Sequence, residues 1–241
     1  MIIYGINAVA EALEGHAAIA RIMITRGKTN PRLQQIIDRA RERGIGVLFE
    51  PLEALNHKAQ TNRHQDVVAE VSEARLRTLD EILEADPRLL LAFDGVEDPR
   101  NLGAVLRTAE AVGVDGVLIP QRHSCGITPA VVQVSAGAAL HLSIARIGNL
   151  VSSLETLKKQ GFWVVGLHMD GKNRIEEIGS DTRIVVVVGG EHRGVRRLVR
   201  EHCDFLVSLP MRGRVPSLNL SVAAGVLLYQ LVSRQPASGK D

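Results

Sequence analysis

Three short segments concentrate the residues whose types and spacing could do chemistry. Asp94 to Arg107 reads DGVEDPRNLGAVLR, Gly189 to Gly194 reads GGEHRG, and Leu209 to Gly225 reads LPMRGRVPSLNLSVAAG. In the last, Pro210, Gly213 and Pro216 interrupt regular structure within seven positions. Leu220, Ala223, Ala224, Leu227 and Leu228 then recur at helical spacing. A constrained loop running into a helix holds backbone donors and acceptors in fixed positions, and Ser217 and Asn219 can either cap that helix or face a ligand. On this segment alone an ordinary helix connection is the simpler account. No GxGxxG follows a strand, and GxxxxGK[ST], GxSxG and HExxH are absent, which removes the dinucleotide, P-loop, serine-elbow and zinc-protease readings. The polar groups suit positioning and hydrogen bonding.

The elements around these segments predict how they come together. Apolar runs fall at Leu89 to Phe93, Gly116 to Ile119, Leu140 to Ala145, Phe162 to Leu167, Ile184 to Val188 and Phe205 to Leu209, with helical patterns between most of them. Runs that are continuous rather than alternating fit strands buried on both faces, hence a mostly parallel α/β sheet. Ligands in such sheets bind outside the carboxyl ends of the strands, and each of the three segments leaves such an end. Upstream, Met1 to about Ala74 predicts a small α/β unit. Its helices lie near Ile6 to Leu13, from Pro31 to Arg43 with Asn30 as cap, and at Leu52 to Lys58. Its strands lie at Arg21 to Thr25, Ile45 to Phe49 and Val67 to Val71. His64 is expected in a solvated loop. The domains are placed at 1–75 and 89–241, with 76–88 as a linker and Ser233 to Asp241 as a frayed tail.

With 241 residues, 45% hydrophobic and 23% charged, the chain can bury a core without disulfides or metals. Cys125 and Cys203 are its only cysteines, and their separation is not that of a zinc site. No apolar run approaches the ~20 residues of a membrane span, and a cytoplasmic location is expected, with no membrane or metal partner. Net charge is only +2, and six of the 29 basic residues are lysine. The rest are arginine, the side chain suited to bidentate phosphate contacts.

Asn101 to Ala109 (NLGAVLRTA), Gly189 to Gly194, and Leu209 to Met211 with Ser217 to Ala223 (LPM, SLNLSVA) resemble the three signature motifs of the SpoU, or TrmH-like, RNA ribose methyltransferases, in the family's order. IleTyrGlyIleAsnAlaVal at the start and HisGlnAsp at 64 to 66 resemble the N-terminal substrate-binding domain of the branch that methylates a guanosine of 23S ribosomal RNA.

The resemblance implies an α/β domain with a deep trefoil knot (the SPOUT methyltransferase fold), a small N-terminal RNA-binding domain, a homodimer whose partner completes the site, and S-adenosyl-L-methionine as cofactor. Cofactor contacts are implied at Gly189, Gly190, Leu209, Met211, Ser217, Leu218 and Asn219. In this reading glycine lets main chain approach the adenosine, and Leu209 and Leu218 flank its ring. Catalytic positions are implied at Asn101, Arg107 and Glu191. Asn101 orients the ribose 2′-hydroxyl, Arg107 stabilises the alkoxide or binds phosphate, and Glu191 holds one of these two. A guanidinium is effectively always protonated, so Arg107 is not given the role of base. Arg212 and Arg214 depart from the family in adding charge, and Asp66 replaces its usual glycine, which puts a role for His64 toward RNA in doubt. His192 and Arg193 are not assigned to catalysis. The alternatives are the same chemistry on transfer RNA and an RNA-binding ribosome-assembly factor without activity.

Overall fold

The structure is a computed structural model and describes residues 1–15, 18–72, 76–191, 194–214 and 217–234. His192, Arg193, Pro216, Ala74 and the tail beyond Arg234 lie outside the described residues. The chain divides into two compact units, Met1–Arg75 with Ile127–His141, and Leu76–Gly126 with Leu142–Asp241.

The first unit runs β1 (Ile2–Tyr4), α1 (Ile6–Glu14), β2 (Ile19–Thr25), α2 (Pro31–Glu42), β3 (Val47–Glu50), α3 (Leu52–Ala59) and β4 (Val67–Val71). Its sheet has the order β1-β4-β2-β3, parallel only between β2 and β3. Asn30 caps α2 by accepting from Leu33 N at 2.9 Å, with Pro31 in the first turn. Val9, Ile22, Ile24, Leu33, Ile36 and Val67 form the core.

His64 is buried, contrary to its expected place in a solvated loop. Its Nδ1 accepts from Asp66 N at 3.1 Å, so Nε2 carries the proton and donates to Asn56 Oδ1 at 2.9 Å. It holds a turn together. Asp66 stands there at φ +63, behind Gln65 at φ +54, a backbone region that glycine enters without strain and that aspartate tolerates.

The second unit begins with α4 (Leu79–Leu83) and β5 (Leu89–Asp94), followed by α5 (Pro99–Ala111) and β6 (Gly116–Pro120). The chain then makes α6 (Pro129–Val134), whose segment clusters with the first unit although the sequence places it in the second domain. It continues through β7 (Ile144–Ile147), α7 (Leu150–Lys159), β8 (Phe162–Leu167), β9 (Arg183–Gly189), α8 (Arg197–Glu201), β10 (Phe205–Val207) and α9 (Leu220–Val232). The sheet is parallel throughout, in the order β10-β8-β9-β5-β6-β7. Every residue of β5 and Val185 to Val188 of β9 are buried, as continuous apolar runs require of central strands.

Two boundaries move. β7 starts at Ile144 rather than Leu140, because Leu140 packs on the core of the first unit. Residues 76–88 are no free linker: Thr78 and Glu81 cap α4 reciprocally, and Ile82 joins the second core beside Leu90, Leu118 and Ala145. Among the described residues no helix is long and apolar enough to cross a membrane, and no group of His, Cys, Asp or Glu has a metal-holding arrangement.

Candidate active site

β5 and β9 are neighbours at the middle of the sheet, but their connections diverge. From β5 the chain passes through α5 to β6 on one side, and from β9 through α8 to β10 on the other. A crevice must open outside the carboxyl ends of two such strands. The two loops are then tied together. Gly190 N donates to Asp94 O at 3.0 Å. The buried Asp94 carboxylate accepts from Arg196 N and Nε, each at 2.7 Å, and pairs with Arg196 Nη2 at 2.5 Å.

The two glycines ending β9 are required by this packing. A Cβ on Gly189 would lie 1.9 Å from Gly194 C, and one on Gly190 would lie 2.5 Å from Gly95 O. The glycines serve the site by letting the two strand-end loops touch.

All three motifs meet in one hydrogen-bonded chain. Ser221 N and Oγ donate to Asn219 Oδ1 at 2.9 and 2.6 Å, so Asn219 caps α9 and its amide orientation is fixed. Asn219 Nδ2 donates to Asn101 Oδ1 at 3.1 Å and makes a longer contact with Glu191 Oε1 at 3.4 Å. Asn101 Nδ2 donates to Glu191 Oε1 at 2.6 Å, a length typical of a charge-assisted bond. The donors run one way, from the start of α9 to a carboxylate. Asn101 is 6% exposed, and of the two groups Glu191 was expected to hold, it holds Asn101.

This chain stands between two cavities. One, of about 480 Å³, gathers all seven residues assigned to the cofactor: Gly189, Gly190, Leu209, Met211, Ser217, Leu218 and Asn219. The other, of about 610 Å³, is lined by Asp94, Glu97, Asp98, Asn101, His123 and Arg196 among others. Gly190, Glu191, Gly194 and Leu220 line both.

Arg107 is the assigned residue that the structure does not bring in. It is exposed and lines neither cavity. Six residues past Asn101, it lies about 9 Å along α5 and roughly 120° around it. Arg212 and Arg214 are exposed on the loop before α9.

The sequence reading missed Leu167, His168 and Met169, which line the smaller cavity. They leave the end of β8, so the same rule of strand ends locates them. Met169 and Met211 are 68% and 40% exposed, large apolar groups left open at a cavity wall. Asp94 and Arg196 were missed as well, although an acid ending the run LLLAFD is a visible signal.

Residues 88–229 match the family model described as the SpoU rRNA Methylase family, and residues 2–77 match that for RNA 2′-O ribose methyltransferase substrate binding. The chain is 40% identical to the 23S rRNA (guanosine-2′-O-)-methyltransferase RlmB of Pseudomonas putida, over 97% of this chain and 96% of that protein. It is 37% identical to YacO of Bacillus subtilis, a TrmH family tRNA/rRNA methyltransferase by name, over 99% and 97% of the two chains. Among solved structures, the SpoU methyltransferase AviRb of Streptomyces viridochromogenes in complex with AdoMet superposes with a TM-score of 0.81 at 21% identity, covering 97% of this chain and 89% of that one. An AdoMet-bound rRNA methyltransferase of Sinorhizobium meliloti gives 0.80 at 24% identity, covering 98% and 88%. With both family models in chain order and the three motifs joined in one site, the chain belongs to the SpoU family of RNA methylases.

Proposed function

We propose that the protein methylates the ribose 2′-hydroxyl of a guanosine in 23S ribosomal RNA, using S-adenosyl-L-methionine, in the cytoplasm and as a homodimer. The observation that carries the reading is the Asn101–Glu191–Asn219 chain standing between two cavities. Methyl transfer needs two ligands on either side of one reacting point. The smaller cavity fits the cofactor: its volume is in the range of pockets for such ligands, about 300–1,000 Å³. Leu209, Met211, Leu218 and Met169 offer apolar walls to a planar base, and Ser217 and Asn219 offer polar groups. When bound, S-adenosylmethionine supplies the electrophilic methyl group.

The chain's own residues position the nucleophile. Asn101 has Oδ1 taken by Asn219 and one amide hydrogen taken by Glu191, which leaves its second N–H for the sugar oxygen. Glu191 keeps that amide from rotating, and the entropy of orientation is met before the RNA arrives. Arg212 and Arg214 are exposed on the loop that carries Met211 and Ser217 of the smaller cavity and supply positive charge for RNA phosphates. The first unit grips the RNA.

Two expectations from the family find support here. α5 and α9 share a groove of about 570 Å³ lined by Thr108, Val222, Val226 and Tyr229, with the last three apolar side chains exposed. A second copy seated there forms the homodimer, and Arg107, facing away from its own Asn101, then serves the partner's site. The knot is supported by the path after β10. That strand is at the sheet's edge beyond β8, yet α9 packs on α5 and β9 at the middle. The connection from β8 to β9 also lies tight on the start of that path, since a Cβ on Gly171 would stand 2.4 Å from Val207 C and 2.6 Å from Ser208 N.

Mapping ribose methylation in RNA from cells with and without the gene tests the reaction. A guanosine in 23S RNA that loses its methyl group is the expected result. A site in transfer RNA would support the other substrate, in keeping with the name of the Bacillus relative. No methyl transfer to any RNA would leave an assembly factor. Mixing Asn101→Ala and Arg107→Ala subunits tests the dimer: action across subunits restores activity that action within one subunit cannot.

A further inference from the structure

The larger cavity has four carboxylates on its wall, and three are committed. Asp94 holds Arg196, Asp98 caps α5 through Arg100 N at 2.8 Å, and Glu191 accepts from Asn101 and Asn219. Glu97, one residue before the cap, is exposed and lines the same cavity. Among the described residues it has no hydrogen bond or ion pair. Its backbone is nevertheless held. Val96 is buried, and its carbonyl accepts from Cys125 N at 2.9 Å and Ser124 Oγ at 3.3 Å. An exposed carboxylate on a fixed loop, lining a nucleotide-sized space that Asn101 also lines, is placed to recognise.

What it recognises follows from hydrogen-bond inventory. An ionised carboxylate only accepts. Among the four RNA bases, guanine alone carries two adjacent donors on its Watson–Crick edge, N1–H and the N2 amine. Adenine and cytosine set a donor beside an acceptor, and uracil flanks its single N–H with two carbonyls. Bases of single-stranded RNA are read on that edge.

We infer that Glu97 is a specificity-determining residue that selects guanine at the methylated nucleotide by accepting from N1–H and the N2 amine, while the ribose lies against Asn101. The assignment rests on the methyltransferase reading above, and deepens it by naming the residue that reads the base.

The test uses the full-length protein and a ribosomal RNA fragment carrying the mapped target, synthesised with guanosine or with inosine, which lacks the N2 amine. Wild-type kcat/KM is expected to fall about ten-fold or more on inosine, which keeps N1–H but loses the second hydrogen bond to the charged carboxylate. Glu97→Ala is expected to be slow on guanosine by a similar factor and to treat the two RNAs alike. Its affinity for S-adenosylmethionine should be unchanged. Glu97 is exposed, so the variant should fold. A Glu97→Ala enzyme that keeps the wild-type preference for guanosine overturns the proposal, and so does a wild type indifferent to the amine, while both leave the methyltransferase reading intact. A wild type that methylates no RNA overturns that reading, and the assignment with it.

Discussion

Glu191 offers the sharpest test of how the site works, because its carboxylate has two separable properties: an acceptor oxygen aimed at Asn101 and a capacity to take a proton. Glu191→Ala removes a 2.6 Å bond to Asn101 Nδ2. A hydrogen bond to a charged group contributes about 1.5–3 kcal/mol, and a stranded buried amide costs about 1–3 kcal/mol more. Asn101 is 6% exposed, but the adjacent cavity admits water, which offsets much of the second term. A total near 3 kcal/mol falls on the step that Asn101 orients and lowers kcat by roughly two orders of magnitude. Glu191→Gln keeps the acceptor and loses only the charge, about 1 kcal/mol on the same scale, or roughly five-fold. Single-turnover methyl incorporation into the RNA fragment, with cofactor affinity measured by calorimetry, separates the cases. A Gln variant as slow as the Ala variant, with cofactor bound normally in both, would refute the orienting role and make Glu191 the group that takes the hydroxyl proton.

Other perturbations follow from the same geometry. Gly190→Ala puts a Cβ 2.5 Å from Gly95 O, so cofactor affinity should fall at least ten-fold and the urea midpoint should drop by the equivalent of about 1–3 kcal/mol. Arg196→Ala leaves the buried Asp94 carboxylate with only a backbone N–H from residue 196. Breaking a buried pair costs about 3–5 kcal/mol, and the half-exposed Arg196 puts this one at the low end, readable by urea unfolding. Burial pushes the Cys203 thiol up to about 12 from an ordinary value of 9.0. It should resist Ellman's reagent at pH 8 until the protein unfolds, and its contribution to stability, complete below pH 9, should be lost as pH rises toward 12. Asp66→Gly relieves a residue at φ +63 and should raise stability by about 0.5–1 kcal/mol in thermal unfolding.

Continuous runs such as LLLAF and VVVV were legible as central parallel strands because both their faces are buried, and the glycine and amide motifs that follow them were legible as a ligand edge. Other features lay below what local pattern carries. β1 was missed because three residues hold no period, and it exists through pairing with β4. Leu140 extended an apolar run whose two ends pack in different units. The Asp94–Arg196 tie spans 102 residues, beyond any spacing rule. Two signals were present and unread. Thr78 and Glu81 spell a capping box inside the segment assigned as a linker, and six residues of helix is not a whole number of turns, so Arg107 could not share a face with Asn101.

The tie between Asp94 and Arg196 also orders events as the chain emerges during synthesis. β5 is complete early, but its terminal carboxylate finds its guanidinium only after another hundred residues have been made and β9 has docked beside it. The smaller cavity waits longer still, because Leu209, Met211 and Ser217 to Leu220 on its wall are made after Arg196. Affinity for S-adenosylmethionine should therefore arise abruptly and late in folding, so that donor capture by nascent chains of increasing length would time the closing step of the whole catalytic half.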